Sequence, residues 1–417
     1  MTLNIVDPNE LNVDSERLDK VTRSIQQDID NGITNGANIL AARKGKIFYL
    51  ESLGKSDIET GRKTQISDVY FLMSLSKTIA AIAILKAIEK GYFTFNTKIS
   101  SIFPEFGANG KENIDVYQLL THQVNLAPDF SPIPGVGTDL NDMHKLAKAT
   151  ANLAPKSIIE SEYNYQPIAT YSVLGYFLEL VDPQNRSFSE FVDEEIFKPL
   201  EMYDTSYGRN SDDPKIVPMV TCYGPQPNKK ESFFINKFNT GTIPAANAYS
   251  TIEDVFKLTE MLRNKGKYKE TKILSPAMCD FVMNNFTEDK VNTSFMSDIY
   301  RLGLDPKKVP GNYTLAGGYI RGTGMHLTPC GLLSSAKSFA AIGGGSTELM
   351  FDPEKELSII YLGHGHTQGL EHLLRMQKIN DLIISSLEYL KNRLLVSKYI
   401  YDILFVKISI NTEIGNY

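Results

Sequence analysis

Ser74-Leu-Ser-Lys-Thr-Ile-Ala-Ala-Ile-Ala-Ile-Leu-Lys-Ala-Ile-Glu-Lys90 is the most helical stretch of the chain. Ile79, Ala80, Ala83, Ile84, Ala87 and Ile88 make it apolar on most sides, and a helix apolar all round is a buried one. Gly91 follows as its stop. At its start, Ser74 and Lys77 stand at i and i+3, one turn apart on one face. The spacing S-x-x-K also occurs at Ser52/Lys55 and Ser334/Lys337, but Ser52 runs into the loop at Gly54 and Ser334 precedes an extended segment. Only Ser74 opens a buried helix. There the helix N–H groups and apolar walls disfavour an ammonium ion. A lysine that starts near pKa ~10.4 must fall by several units to act as a base at neutral pH, at about 1.4 kcal/mol per unit.

Outward from this helix, Ala37–Ala42 and Lys46–Leu50 flank Arg43-Lys44-Gly45 as a hairpin. Val13 to Asn31 has helical spacing at Leu18, Val21, Ile25 and Ile29, with Asp14 or Ser15 as N-cap. Asn113 to about Leu200 reads as short helices and loops, and Thr251 to Lys265 as another capped helix. Ser338–Leu349 and Leu357–Gly363 read as adjacent strands around the turn Asp352-Pro353-Glu354, and Glu371–Leu390 as a closing amphipathic helix. Strands at both ends with helices between them predict an α+β fold. Its antiparallel sheet is drawn from about residues 36–52 and 338–363, with a mostly helical insertion at about 92–245. We expect one domain over residues 1–390 and an extension, 391–417, with no assigned role.

The chain has 417 residues, 42% of them hydrophobic and 22% charged, which excludes a disordered or low-complexity protein. A net charge of −6 gives no reason to expect a nucleic-acid partner. Cys222, Cys279 and Cys330 are widely spaced and form no CxxC pair. The polar, acidic start is not a signal peptide, and no apolar run reaches the ~18–20 residues of a membrane span, so a cytoplasmic location is expected. His364, His366 and His372 are the one suggestive metal grouping. No Cys or carboxylate stands beside them at ligand spacing, so no metal is expected. G-x-S-x-G, H-E-x-x-H, a Walker loop and G-x-G-x-x-G are all absent.

Several stretches in the same order resemble the serine β-lactamase-like family, which includes class C β-lactamases, D-alanyl-D-alanine carboxypeptidases and related esterases and acyltransferases. They are Asn35-Gly-Ala-Asn-Ile-Leu-Ala-Ala-Arg-Lys-Gly-Lys46, Val69 to Thr78, Leu119-Leu-Thr-His122, Tyr249-Ser-Thr-Ile-Glu-Asp254, Ile273-Leu-Ser-Pro276 and Asp352-Pro-Glu354. S-x-x-K is itself a signature of β-lactamases and penicillin-binding proteins. The resemblance implies Ser74 as nucleophile, Lys77 as its base and no cofactor.

The family's second motif, Y-x-N or Y-S-x, falls in Tyr163-Asn-Tyr-Gln-Pro-Ile-Ala-Thr-Tyr-Ser-Val-Leu-Gly175. Tyr165 fits best, with Tyr163 and Tyr171 as competitors, and Pro167 stands where the asparagine would be. The third motif, K-T-G, H-x-G or W-x-G, falls on Ala341-Ile342-Gly343. Glycine allows the backbone to approach substrate closely, but alanine removes the cation or polar ring that would bind a substrate carboxylate. His364 or His366, near the end of the next strand, could compensate. The implied oxyanion hole is the backbone amides of Ser74 and Gly344. Ala316 to Ser335, with five glycines, is expected in the substrate wall.

These features point to a serine hydrolase with a covalent acyl intermediate, acting as an esterase or acyltransferase on a small-molecule ester. β-Lactamase or peptidase activity, or a binding protein without catalysis, are the alternatives. Oligomeric state and natural substrate are not encoded in any motif.

Overall fold

The computed structural model describes residues 3–126, 136, 140–157, 162–210, 212–222, 240–288, 290–367 and 369–388. The proposed extension at 391–417 lies outside them. Asp14 accepts hydrogen bonds from the amides of Glu16 and Arg17 and starts helix α1, Ser15–Asp30. The hairpin follows as β1, Gly36–Arg43, and β2, Lys46–Gly54, with Lys44 and Gly45 both at positive φ in the turn. Four further strands complete an antiparallel sheet: β3 Tyr319–Ile320, β4 Phe339–Gly343, β5 Thr347–Asp352 and β6 Leu357–His364. The order is β2-β1-β6-β5-β4-β3, so β1 from one end of the chain pairs directly with β6 from the other.

One strand expected over Ser338–Leu349 is two. Gly344 (φ 31) and Gly345 (φ 78) turn the chain back, and Gly343 pairs with Thr347 across the turn. A run of three glycines supplies the left-handed residues that a tight hairpin needs. This turn becomes one side of the site described below.

Both faces of the sheet are covered, which explains why β1, β5 and β6 read as nearly continuous apolar runs. Ile39 of β1 and Ile359 and Tyr361 of β6 pack with Leu18, Val21 and Ile25 of α1 and with Met376, Ile379 and Ile383 of the closing helix. On the other face, Leu40, Ile360 and Leu362 join the larger core. That core holds helix α2, Ser76–Glu89, and three of the longer helices after it: α3 Met143–Ala151, α4 Ala169–Val181 and α5 Ile252–Arg263. The closing helix, α6, spans Gly369–Ser385. In α2, every residue from Ser76 to Leu85 is buried, as its composition requires.

Candidate active site

The turn leading into α2 is built to present Ser74. Tyr70–Phe71 forms a short strand against Ala248–Ser250, and the Leu72 amide donates to Ala248 O (2.8 Å). Ser76, fully buried, accepts from the Ala248 amide through Oγ (3.1 Å), which locks the first turn of α2 to this strand. Between them, Met73 is held at φ 49, and Ser74 lies in the 3-10 turn Met73–Leu75 that precedes the α-helix. A left-handed methionine is a costly conformation that its surroundings must impose. Ser74 remains partly open while Leu75, Ser76 and Lys77 are closed off.

Lys77 has no solvent exposure. Its Nζ lies 3.3 Å from Ser74 Oγ, 2.7 Å from Pro167 O and 3.1 Å from Ala245 O. Burial pushes the amine well below the ordinary lysine range. A neutral amine has two N–H bonds and one lone pair. With both hydrogens given to the two carbonyls, an amine in that form has its lone pair available to the hydroxyl of Ser74. Both carbonyls come from segments that pack across the mouth of α2, so they also fix the rotamer of the lysine.

The three tyrosines of the second-motif stretch differ in exposure and in distance from Lys77. Tyr163 and Tyr171 are wholly buried. Tyr165 keeps part of its surface open and its phenol is hydrogen-bonded with Ser74. The ring centroid of Tyr165 is 4.8 Å from Lys77 Nζ, against 5.8 Å for Tyr171. Burial, and then the neighbouring Tyr319, push the Tyr165 phenol well above its usual value, with the Ser74 bond pulling the other way. At neutral pH this phenol carries its proton.

Against the Leu72–Met73 segment stands the glycine turn between β4 and β5. Thr347 Oγ1 donates to Leu72 O (2.9 Å), and a side chain at Gly343 would overlap that same carbonyl oxygen. One at Gly344 would overlap the thioether of Met73. The two glycines thus let the strand lie directly against the Leu72–Met73 segment that leads into Ser74. Gly343→Ala is expected to destabilise the fold by about 3 kcal/mol or more, read by urea denaturation, because the obstruction is main chain and cannot rotate aside. An unchanged midpoint would show that this contact yields. Ala341, buried on the same face, adds no charge or polar group there.

Two supports of this turn gave no signal in the sequence. Gly345 O accepts from Arg375 Nη2 (2.9 Å), Thr367 Oγ1 (3.1 Å) and the Thr367 amide (3.3 Å). His372 donates through Nε2 to Thr347 O (3.1 Å) and accepts from Arg375 at Nδ1 (2.9 Å). Helix α6 therefore pins both sides of the turn from behind the sheet. A buried arginine that bonds a carbonyl has no spacing rule that would reveal it.

His364 is placed at the end of β6 with its Nδ1 donating to Lys55 O (2.7 Å) and 1% of its surface exposed. His366 lines a small cavity with Met73 and Ser346, and burial pushes its imidazole down to about 4. Among the described residues no group of three His, Cys, Asp or Glu is placed to hold a metal ion. In the Ala316–Ser335 segment, Gly317 packs on the backbone of Lys77, and Thr78 Oγ1 donates to Gly317 O (3.2 Å). Among the described residues no helix is long and apolar enough to cross a membrane.

Comparison with known proteins agrees with this architecture. Protein flp of Staphylococcus aureus (strain MRSA252) is 26% identical over 194 residues, which are 46% of this chain and 38% of that protein. Esterase EstB of Burkholderia gladioli is 28% identical over 232 residues, 50% of this chain and 56% of EstB. The chain thus spans well under two thirds of the length of either relative. Among solved structures, EstCE1, described as a hydrolase with promiscuous acyltransferase activity, superposes with a TM-score of 0.71 at 20% identity, covering 88% of this chain and 99% of EstCE1. The family model for Beta-lactamase matches residues 21–377, which takes in the sheet from both chain ends, the Ser74 turn and the glycine hairpin. By that match and by its architecture, this chain belongs to the beta-lactamase family of serine β-lactamase-fold hydrolases.

Proposed function

We propose that the chain is a serine hydrolase that forms a covalent acyl-Ser74 intermediate, with small uncharged carboxylic esters as substrates. One observation supports this most: a fully buried Lys77 whose Nζ lies within hydrogen-bond reach of two carbonyls and 3.3 Å from Ser74 Oγ. Ser74 Oγ attacks the ester carbonyl as its proton passes to Lys77. The amides of Ser74 and Gly344 hold the oxyanion, each such donor being worth about 3 kcal/mol. Tyr165 gives its proton to the departing alkoxide as the C–O bond breaks, and the Lys77 ammonium restores that proton. Water then attacks the acyl-serine and releases the acid. A bound alcohol in place of water makes the same cycle an acyl transfer.

Ala341 favours esters over β-lactams and D-alanyl peptides, because a substrate carboxylate finds no cation at that position. EstB and EstCE1, by their names, are also an esterase and a hydrolase with acyltransferase activity. The test is turnover of nitrophenyl butyrate against nitrocefin, with fluorophosphonate labelling of Ser74 followed by intact mass. We expect ester turnover at least about 100-fold faster than nitrocefin turnover, a preference of about 2.7 kcal/mol. Nitrocefin turnover without ester turnover would reverse the assignment, and absence of labelling would leave a binding protein.

A further inference from the structure

We propose that His122 is a positioning residue for Tyr165, holding the phenol where it reaches the leaving group; this rests on the hydrolase reading above. His122 follows the short helix Val116–Leu120, has no exposed surface, and adopts φ 57. Its main-chain oxygen accepts from the Asn164 amide (3.2 Å) and its Nδ1 accepts from the Gln166 amide (3.1 Å). Those are the residues immediately before and after Tyr165. The imidazole also lies against the Tyr165 ring, centroid to centroid 4.7 Å. One residue therefore fixes the Tyr165 backbone on both sides and its ring in between.

Accepting at Nδ1 requires the proton on Nε2. Nε2 is buried and has no hydrogen-bond partner among the described residues. The neighbouring rings are those of Tyr313 (5.1 Å), Tyr171 (5.5 Å) and Tyr163 (6.2 Å). An orphaned N–H and a left-handed backbone are both costs that an apolar residue in an ordinary turn would avoid. What is gained is the bracket around Tyr165. Neutrality also matters, because a cation here would oppose the charge that Lys77 takes on when it accepts the Ser74 proton. Burial first, and then Lys77 in its charged form, hold the imidazole well below its ordinary range. The other groups packed around it, Thr170 and the tyrosines, bring no carboxylate.

The test uses two esters of one acid, ethyl butyrate and nitrophenyl butyrate, and kcat/KM per Ser74 site titrated with fluorophosphonate. The alkoxide of ethanol needs a proton to leave, whereas nitrophenolate does not. Since kcat/KM ends with acylation, the shared deacylation step does not enter. His122→Ala is expected to lower the ethyl ester by about 100-fold and the nitrophenyl ester by less than about fivefold, with KM changed little. His122→Asn, whose Oδ1 takes the place of Nδ1 and which tolerates positive φ, is expected to recover most of the ethyl ester rate. Should His122→Ala not fold, His122→Gln serves, because its amide reaches towards Nε2 and leaves the Gln166 amide without an acceptor. Equal losses on both esters, or no recovery with asparagine, would make His122 a packing residue only and overturn the proposal. A wild type that labels at Ser74 but turns over neither ester would instead remove the hydrolase reading, and the proposal with it.

Discussion

Ser74→Ala is expected to abolish fluorophosphonate labelling and to reduce ester turnover by about 10⁶-fold, as removal of a nucleophile does in other serine hydrolases. Ser74 is where the local geometry converges. The Met73 backbone is twisted to present it, Lys77 faces it at 3.3 Å, and the Tyr165 phenol is bonded with it. Groups that act as a unit lose their effect together. The double variant Ser74→Ala, Lys77→Met is therefore expected to be no slower than Ser74→Ala alone. Fold should be kept, since Ser74 is partly open and the turn is held by Ser76, Leu72 and Thr347 instead. Retained turnover above a hundredth of wild type, in protein of checked mass, would place the nucleophile elsewhere.

Lys77→Met is expected to cost about 10³ in kcat/KM while keeping the side-chain volume. Its pH dependence gives the sharper reading. In the wild type the rate should rise with pH as Lys77 loses its proton and then stay level, because burial holds the Tyr165 phenol above its ordinary pKa of about 10. In Lys77→Met that acid limb should be gone. Stability follows the same linkage. The folded lysine has its pKa lowered, so between that pKa and the ordinary 10.5 the unfolded chain binds the extra proton. Stability conferred by wild-type Lys77, relative to methionine, must then increase with pH across this window and level off above it. A wild-type advantage that falls as pH rises would mean that the folded lysine is an ammonium ion.

Much of this site was legible in the sequence because its parts are local. Ser74 and Lys77 are three residues apart at the entry to a helix whose apolar composition announces its burial. The hairpin at Lys44-Gly45 and the closing helix were legible for the same reason, since periodicity and turn residues act over a few positions. The break at Gly344–Gly345 was less so. Three glycines fit a strand that approaches another backbone as well as they fit a turn, and only pairing with Thr347 decides between them. What could not be read is the long-range support. The carbonyls of Pro167 and Ala245 reach Lys77 from 90 and 168 residues away. The Arg375 bond to Gly345 crosses 30 residues and a sheet. Main-chain acceptors leave no residue type to recognise, so no pattern in the sequence marks them. That Tyr165 stays partly open while Tyr163 and Tyr171 are buried likewise has no mark in the sequence.

The most direct test is the protonation state of Lys77 itself, measured by ¹⁵N NMR on protein labelled at lysine Nζ and assigned with Lys77→Met. A resonance at the neutral-amine position at pH 7, moving to the ammonium position only on acidification, is the predicted result. An ammonium signal at pH 7 that persists to about pH 10 would contradict it, and with it the assignment of Lys77 as the group that activates Ser74.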